Sequence, residues 1–178
     1  MPLHAHAPIS EEHEAVRTFT AVIIDANAGD REFIRQALMA DADHRFGFHE
    51  AQTGSEGIAI CRKIQRPDCV LVALRLPDMS GLEVIRRLRQ DEDAEVDVIA
   101  VTAAKDVKTL RAAMQGGVVH YLVKPFLFET FRERLERYAA LHHRLGRLRE
   151  ASQGDVDQLF SLLRVDGRAR LPKGISAP

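Results

Sequence analysis

Short apolar runs alternate along this chain with stretches in which apolar residues return every three or four positions. AVII (21–24) is continuous and apolar, and REFIRQALMA (31–40) follows with helical spacing. The pattern then recurs. It predicts strands at 21–24, FGFH (46–49), CVLVA (69–73), VDVIAV (96–101) and VVHYLV (118–123), and helices at 31–40, 55–65, 82–90, 106–115 and 128–143. Asp30, Thr53 and Asp106 read as N-caps, whose side-chain oxygens meet the unpaired first amides of a helix, and Gly116-Gly117 reads as a helix stop. Five strands alternating with five helices predict an α/β fold with a doubly wound, five-stranded parallel sheet, because parallel strands need crossover connections. In such sheets functional groups collect beyond the carboxyl ends of the strands.

The ends of the chain break the pattern. Residues 1–20 hold two prolines, three histidines and three glutamates without apolar periodicity, and read as a flexible tail; nothing in it gathers His4, His6 and His13 into a metal site. After residue 143 the periodicity fades through LGRLREASQG and returns in DVDQLFSLL (155–163), so 144–178 reads as a linker with a short helix, and 21–143 as the domain. The stretch 128–150 puts Phe131, Leu135, Tyr138, Leu141 and Leu145 on one side and arginines and glutamates on the other. That is an ordinary amphipathic helix, or, where it runs past 143, a dimer stalk. Arg144, Arg147, Arg149 and Lys173 do not make a DNA-reading surface without a recognition helix.

Composition narrows the function. A chain of 178 residues, 46% hydrophobic and 29% charged, suits one domain with extra length at its ends. A net charge of -1 gives no global attraction to nucleic acid or anionic membrane. Cys61 and Cys69 lie in apolar stretches and read as reduced thiols. No apolar run reaches the roughly 18 residues of a membrane span, and the opening MPLHAHAPISEEHE lacks the blocks of a signal peptide, so a cytoplasmic location is expected.

The strand ends carry the candidate chemistry: Asp25-Ala26-Asn27 after the first, Ala73 at the third, Thr102-Ala103-Ala104 at the fourth, Lys124-Pro125 at the fifth. With PDCVLVALRLPDMSGLEVIRRLR (67–89), VIAVTAA (98–104) and YLVKPF (121–126), the set resembles the receiver domains of bacterial response regulators, whose fold is flavodoxin-like. The stretch 96–139 and the ending DVDQLF…LPKGISAP look like the citrate/malate-type regulators, in which the linker leads to a helix-turn-helix DNA-binding domain. On that resemblance DNA would be reached only through a C-terminal domain absent from this chain.

The resemblance implies a phosphate-accepting aspartate at the end of the third strand, with Pro four residues later and Gly eight later. Pro77 and Gly81 fix the register and place Ala73 there. It implies two adjacent acids for magnesium, which here read Asp25-Ala26, and a hydroxyl residue, a switch aromatic and a lysine, which fall on Thr102, Tyr121 and Lys124. Pro125 is expected to follow a cis peptide bond, as in the family.

Phosphotransfer needs a carboxylate oxygen to attack phosphorus, and a methyl group cannot attack. The expectation is a pseudo-receiver: not an enzyme, not phosphorylated at the usual site, working through a protein partner or as a homodimer through residues 106–150. Asp25 is expected to be the pocket's sole carboxylate, paired with Lys124, with magnesium binding weak or absent. Two alternatives compete. Asp25, Thr102 and Lys124 superficially suit a haloacid-dehalogenase-like phosphatase, but Asn27 stands where that family has its second acid. A laboratory Asp-to-Ala change in a normal receiver would account for Ala73 but not for Ala26.

Overall fold

The computed structural model describes residues 17–163 except 42, 44, 65, 66 and 92–94. His4, His6, His13, Lys173 and the ending LPKGISAP lie outside the described residues. Five strands, β1 (Phe19–Ile24), β2 (Phe46–Ala51), β3 (Cys69–Val72), β4 (Asp97–Thr102) and β5 (Val118–Val123), form one parallel sheet in the order β2-β1-β3-β4-β5. Five helices make the crossovers and the closing layer: α1 (Ala28–Met39), α2 (Gly54–Lys63), α3 (Gly81–Gln90), α4 (Val107–Gln115) and α5 (Phe128–Arg147). A sixth, α6 (Gln153–Leu163), packs against α5. The expected sheet and winding are both present.

Each strand alternates its side chains between two apolar layers. Phe19, Ala21 and Ile23 of β1 join Ile34 and Leu38 of α1 and Phe131 and Leu135 of α5 on one face. Val22 and Ile24 join Ile58 and Cys61 of α2 and Val84, Ile85 and Leu88 of α3 on the other. Because both faces are covered, β3 is buried throughout. Cys61 and Cys69 are free and buried, and burial raises the Cys61 thiol to about 11.

Two expected boundaries are corrected. The strand begins at Phe19, so the tail read over 1–20 gives way before residue 21. Phe19 stacks on Phe46, meets Tyr138 and His142 edge-on, and lies under the Arg17 guanidinium, which is paired with Asp68 at 3.0 Å. The last helix stops at Arg147 rather than running to 150. Leu148 takes an extended conformation, and the chain doubles back so that Asp155 of α6 faces Arg144 at 3.7 Å.

Arg89, at the end of α3, closes the opposite edge. Its guanidinium donates to the carbonyls of Val96 (2.5 Å), Gly116 (3.2 Å) and Gly117 (3.2 Å), joining the entry of β4 to the turn after α4. Gly117 makes that turn with φ of 78°, a left-handed conformation glycine adopts without strain.

Candidate functional site

The site grows from the register of the sheet. Ile24 pairs with Val72, and Thr102 with Val123, so Asp25, Ala73 and Lys124 each follow immediately on a paired strand end. The Ala73 amide donates to the Ile24 carbonyl at 2.9 Å, and the Lys124 amide to the Thr102 carbonyl at 2.8 Å. Crossovers have brought residues nearly a hundred positions apart to one rim.

Asp25 is buried there, and both its carboxylate oxygens are engaged. Oδ1 accepts from the Asn27 amide at 2.9 Å and Oδ2 from Lys124 Nζ at 2.7 Å. Lys124 Nζ donates as well to Oδ2 of Asp30, at 2.6 Å. Asp25 is therefore not the pocket's sole carboxylate, and Asp30 is not the cap of α1. Asn27 is the cap, its side chain accepting from the Asp30 amide at 3.0 Å. Capping from Asn27 sets Asp30 in the first turn, within reach of β5. Burial acts to lower the Lys124 pKa, but the hydrogen bonds and charges of Asp25 and Asp30 outweigh it, and the ammonium is held above its ordinary range. Arg31 steadies the neighbouring backbone, donating to the carbonyls of Asp25 (2.8 Å) and Ala26 (3.2 Å). A cavity of about 270 Å³ opens beside the ammonium, with Asp30, Phe33, Lys124, Pro125 and Phe126 in its wall.

Ala73, buried, is carried on backbone that α3 presses from outside. A Cβ built on Gly81 would lie 2.3 Å from the Ala73 carbonyl oxygen and 2.7 Å from Leu74 Cα, so the helix can start this close only with glycine in that place. The register read from Pro77 and Gly81 thus has a steric cause. Asp78 in the same loop reaches across to α2 and accepts from the amides of Gly54 (2.8 Å) and Ser55 (2.9 Å). Hydrogen bonds from the side chain and amide of Ser55 and the amide of Gly54 hold its carboxyl down at about 2.

Thr102 and Tyr121 meet through one residue. The buried Thr102 Oγ1 accepts from the Ala104 amide at 3.2 Å, and the Tyr121 hydroxyl donates to the Ala104 carbonyl at 2.8 Å. Both backbone groups of Ala104 are thereby held by the two side chains, at the entrance to α4. Burial and the Asp106 charge raise the Tyr121 pKa. The Lys124-Pro125 bond is cis, as expected.

Sequence reasoning named Asp25, Ala26, Ala73, Thr102, Tyr121, Lys124 and Pro125, and the sheet gathers them at one end. It missed Asp30 as a partner of Lys124. The signal was present in Asn27, a capping residue of equal quality three positions earlier.

Known proteins agree with this architecture. The "Probable C4-dicarboxylate response regulator DctR" of Halalkalibacterium halodurans is 36% identical over 126 residues, covering 70% of this chain and 54% of the relative. The transcriptional regulatory protein CitT of the same organism is 34% identical over 145 residues, covering 80% of this chain and 63% of the relative. The chain thus spans between half and two thirds of the length of these relatives. In fold it is similar to the signal receiver domain of the putative response regulator NarL from Mycobacterium tuberculosis, with a TM-score of 0.62 and 21% identity over 70% of this chain and 98% of that one. Residues 21–136 match the response regulator receiver domain, and the chain belongs to that family.

Proposed function

We propose that this receiver domain is a pseudo-receiver: it signals through protein contacts, is not phosphorylated at position 73, and serves transcription control in the cytoplasm, as a partner-binding module and not an enzyme. The observation that carries the reading is Ala73, at the end of β3 in a register held by Gly81. A receiver aspartate there would attack phosphorus with an ionised oxygen, and alanine has none.

Magnesium binding is weak or absent in this reading. Magnesium takes near-octahedral oxygen coordination and releases its water reluctantly. Position 26 supplies a methyl group in place of the second acid, position 73 another, and the oxygens of Asp25 are already engaged by Asn27 and Lys124. The ammonium offsets one of the two carboxylate charges, Asp25 and Asp30, and engages an oxygen of each that a metal would otherwise use. The residues present do not fit the ion. Contacts run through residues 106–150, with a second copy as one partner and Thr102 and Tyr121 setting the shape of the entrance to α4.

Acetyl phosphate or beryllofluoride is added to the protein and to an Ala26→Asp, Ala73→Asp double variant, with and without magnesium. Intact mass and melting temperature are expected to be unchanged in the natural chain, while the double variant gains one phosphoryl group and responds to magnesium. A phosphoryl adduct on the natural chain within this pocket, or a melting temperature that climbs by several degrees with magnesium, would end the proposal.

A further inference from the structure

An apolar patch with a basic border lies on α4. Val107 (66% exposed) and Met114 (65%) stand two turns apart, with the half-buried Leu110 between them, and Val123 and Leu127 add exposed apolar surface at the end of β5 and before α5. Val107, Leu110 and Met114 line an open groove of about 380 Å³ together with Arg111 and Gln115. Lys105, Lys108 and Arg111 are exposed, and none has an acidic partner among the described residues. Apolar surface gathered in this way and rimmed by charge marks a contact site.

The chain carries the complementary surface on α6. That helix holds Asp155 and Asp157 and no basic residue. The helix packs against α5, and its Val156, Leu159 and Leu162 are half-buried, while Asp157 and Phe160 are exposed one turn apart, Phe160 by 59%. A phenylalanine beside an acid faces outward on one helix, and an apolar groove beside an arginine faces outward on another.

We propose that the α4 groove is filled by α6 of a second copy of this chain, with Phe160 seated among Val107, Leu110 and Met114, and Asp157 meeting Arg111 and Lys108. In a two-fold dimer the contact is made twice, once in each direction, which doubles the area that a single helix pair buries. The partner is a second copy because α6 is already packed against α5 in its own chain and because the charge signs match. The inference rests on the reading that the domain works through protein contacts, and is independent of what happens at position 73.

Sedimentation equilibrium of the whole chain over a range of concentrations tests it. A dimer is expected, with its dissociation constant raised tenfold or more by Phe160→Ser, by Met114→Glu and by added salt. Arg111→Glu is expected to weaken it and Asp157→Lys in the same chain to restore it. Thermal melts keep folding separate, since all four side chains sit at the surface. A monomer at concentrations on the order of 1 mM, a dimer indifferent to Phe160→Ser, or a charge reversal that Asp157→Lys fails to rescue overturns the proposal. So does a monomeric chain that binds an unrelated acidic helical peptide in the α4 groove. None of these outcomes touches the phosphorylation experiment, whose failure would leave a dimer standing.

Discussion

Lys124 serves two carboxylates with one ammonium, at 2.7 Å from Asp25 and 2.6 Å from Asp30. Its pKa is raised in the fold above the ordinary 10.5, so the charged form is favoured by folding. The associated stability is fully present below about pH 10.5 and is lost as pH rises through the folded value. Lys124→Met removes the donor and leaves the buried Asp25 short of a partner, which costs about 1–3 kcal/mol at neutral pH. Chemical unfolding followed into the alkaline range should show the natural chain falling toward the variant; a constant gap across that range would refute the linkage. Asp25 and Lys124 as partners were legible in the sequence because both stand at strand ends. Asp30 was not, since its direction depends on where the helix starts, and a one-turn difference in the cap decides whether it closes α1 or reaches the lysine.

Helix α2 illustrates what an element owes to its own sequence and what it borrows. Thr53 caps it from within, its Oγ1 accepting from the Glu56 amide at 3.1 Å, and this was readable from residue type and position. Asp78 caps it from a loop 23 and 24 residues away, which no local pattern announces. Thr53→Ala is expected to cost about 1 kcal/mol in thermal or urea unfolding. Asp78→Ala has a different signature. Its carboxyl is held at about 2 against an ordinary 3.8, so its contribution is present above about pH 3.8 and disappears as pH falls toward 2. The difference between natural chain and variant should close over that interval; a gap that persists at pH 2 would assign the loss to something other than the charge. Strand β1 is a second case of borrowing. Its first two residues, Phe19 and Thr20, sit at the end of a polar stretch, and their place is set by Phe46, Tyr138 and the Asp68 carboxylate, which takes the Thr20 amide at 2.7 Å.

For the molecule as a whole, the sheet divides the interior into two apolar layers, one under α1 and α5 and one under α2 and α3. Ile34→Val in the first layer and Ile85→Val in the second should each cost about 0.5–1.5 kcal/mol. Lying on opposite faces without shared neighbours, they should sum to within roughly 0.5 kcal/mol. A larger coupling, measured in urea unfolding of the double variant, would mean that the sheet itself yields. The doubly wound plan was legible because alternation of strand and helix leaves little other choice, and with it came the gathering of Asp25, Ala73, Thr102 and Lys124. The Arg89 bridge was hidden, since one guanidinium there answers carbonyls on two other segments. That bridge gives α4 unequal ends. Just beyond its last turn Gly116 and Gly117 are each clasped by a hydrogen bond from Arg89, while its first turn is steadied by the Asp106 cap and, through Ala104, by the Tyr121 hydroxyl. Any rocking of this helix would therefore pivot near Gly116 and sweep its widest arc at Val107, the end beside Ala104 that the single phenol contact restrains, as a latch holds the free edge of a door.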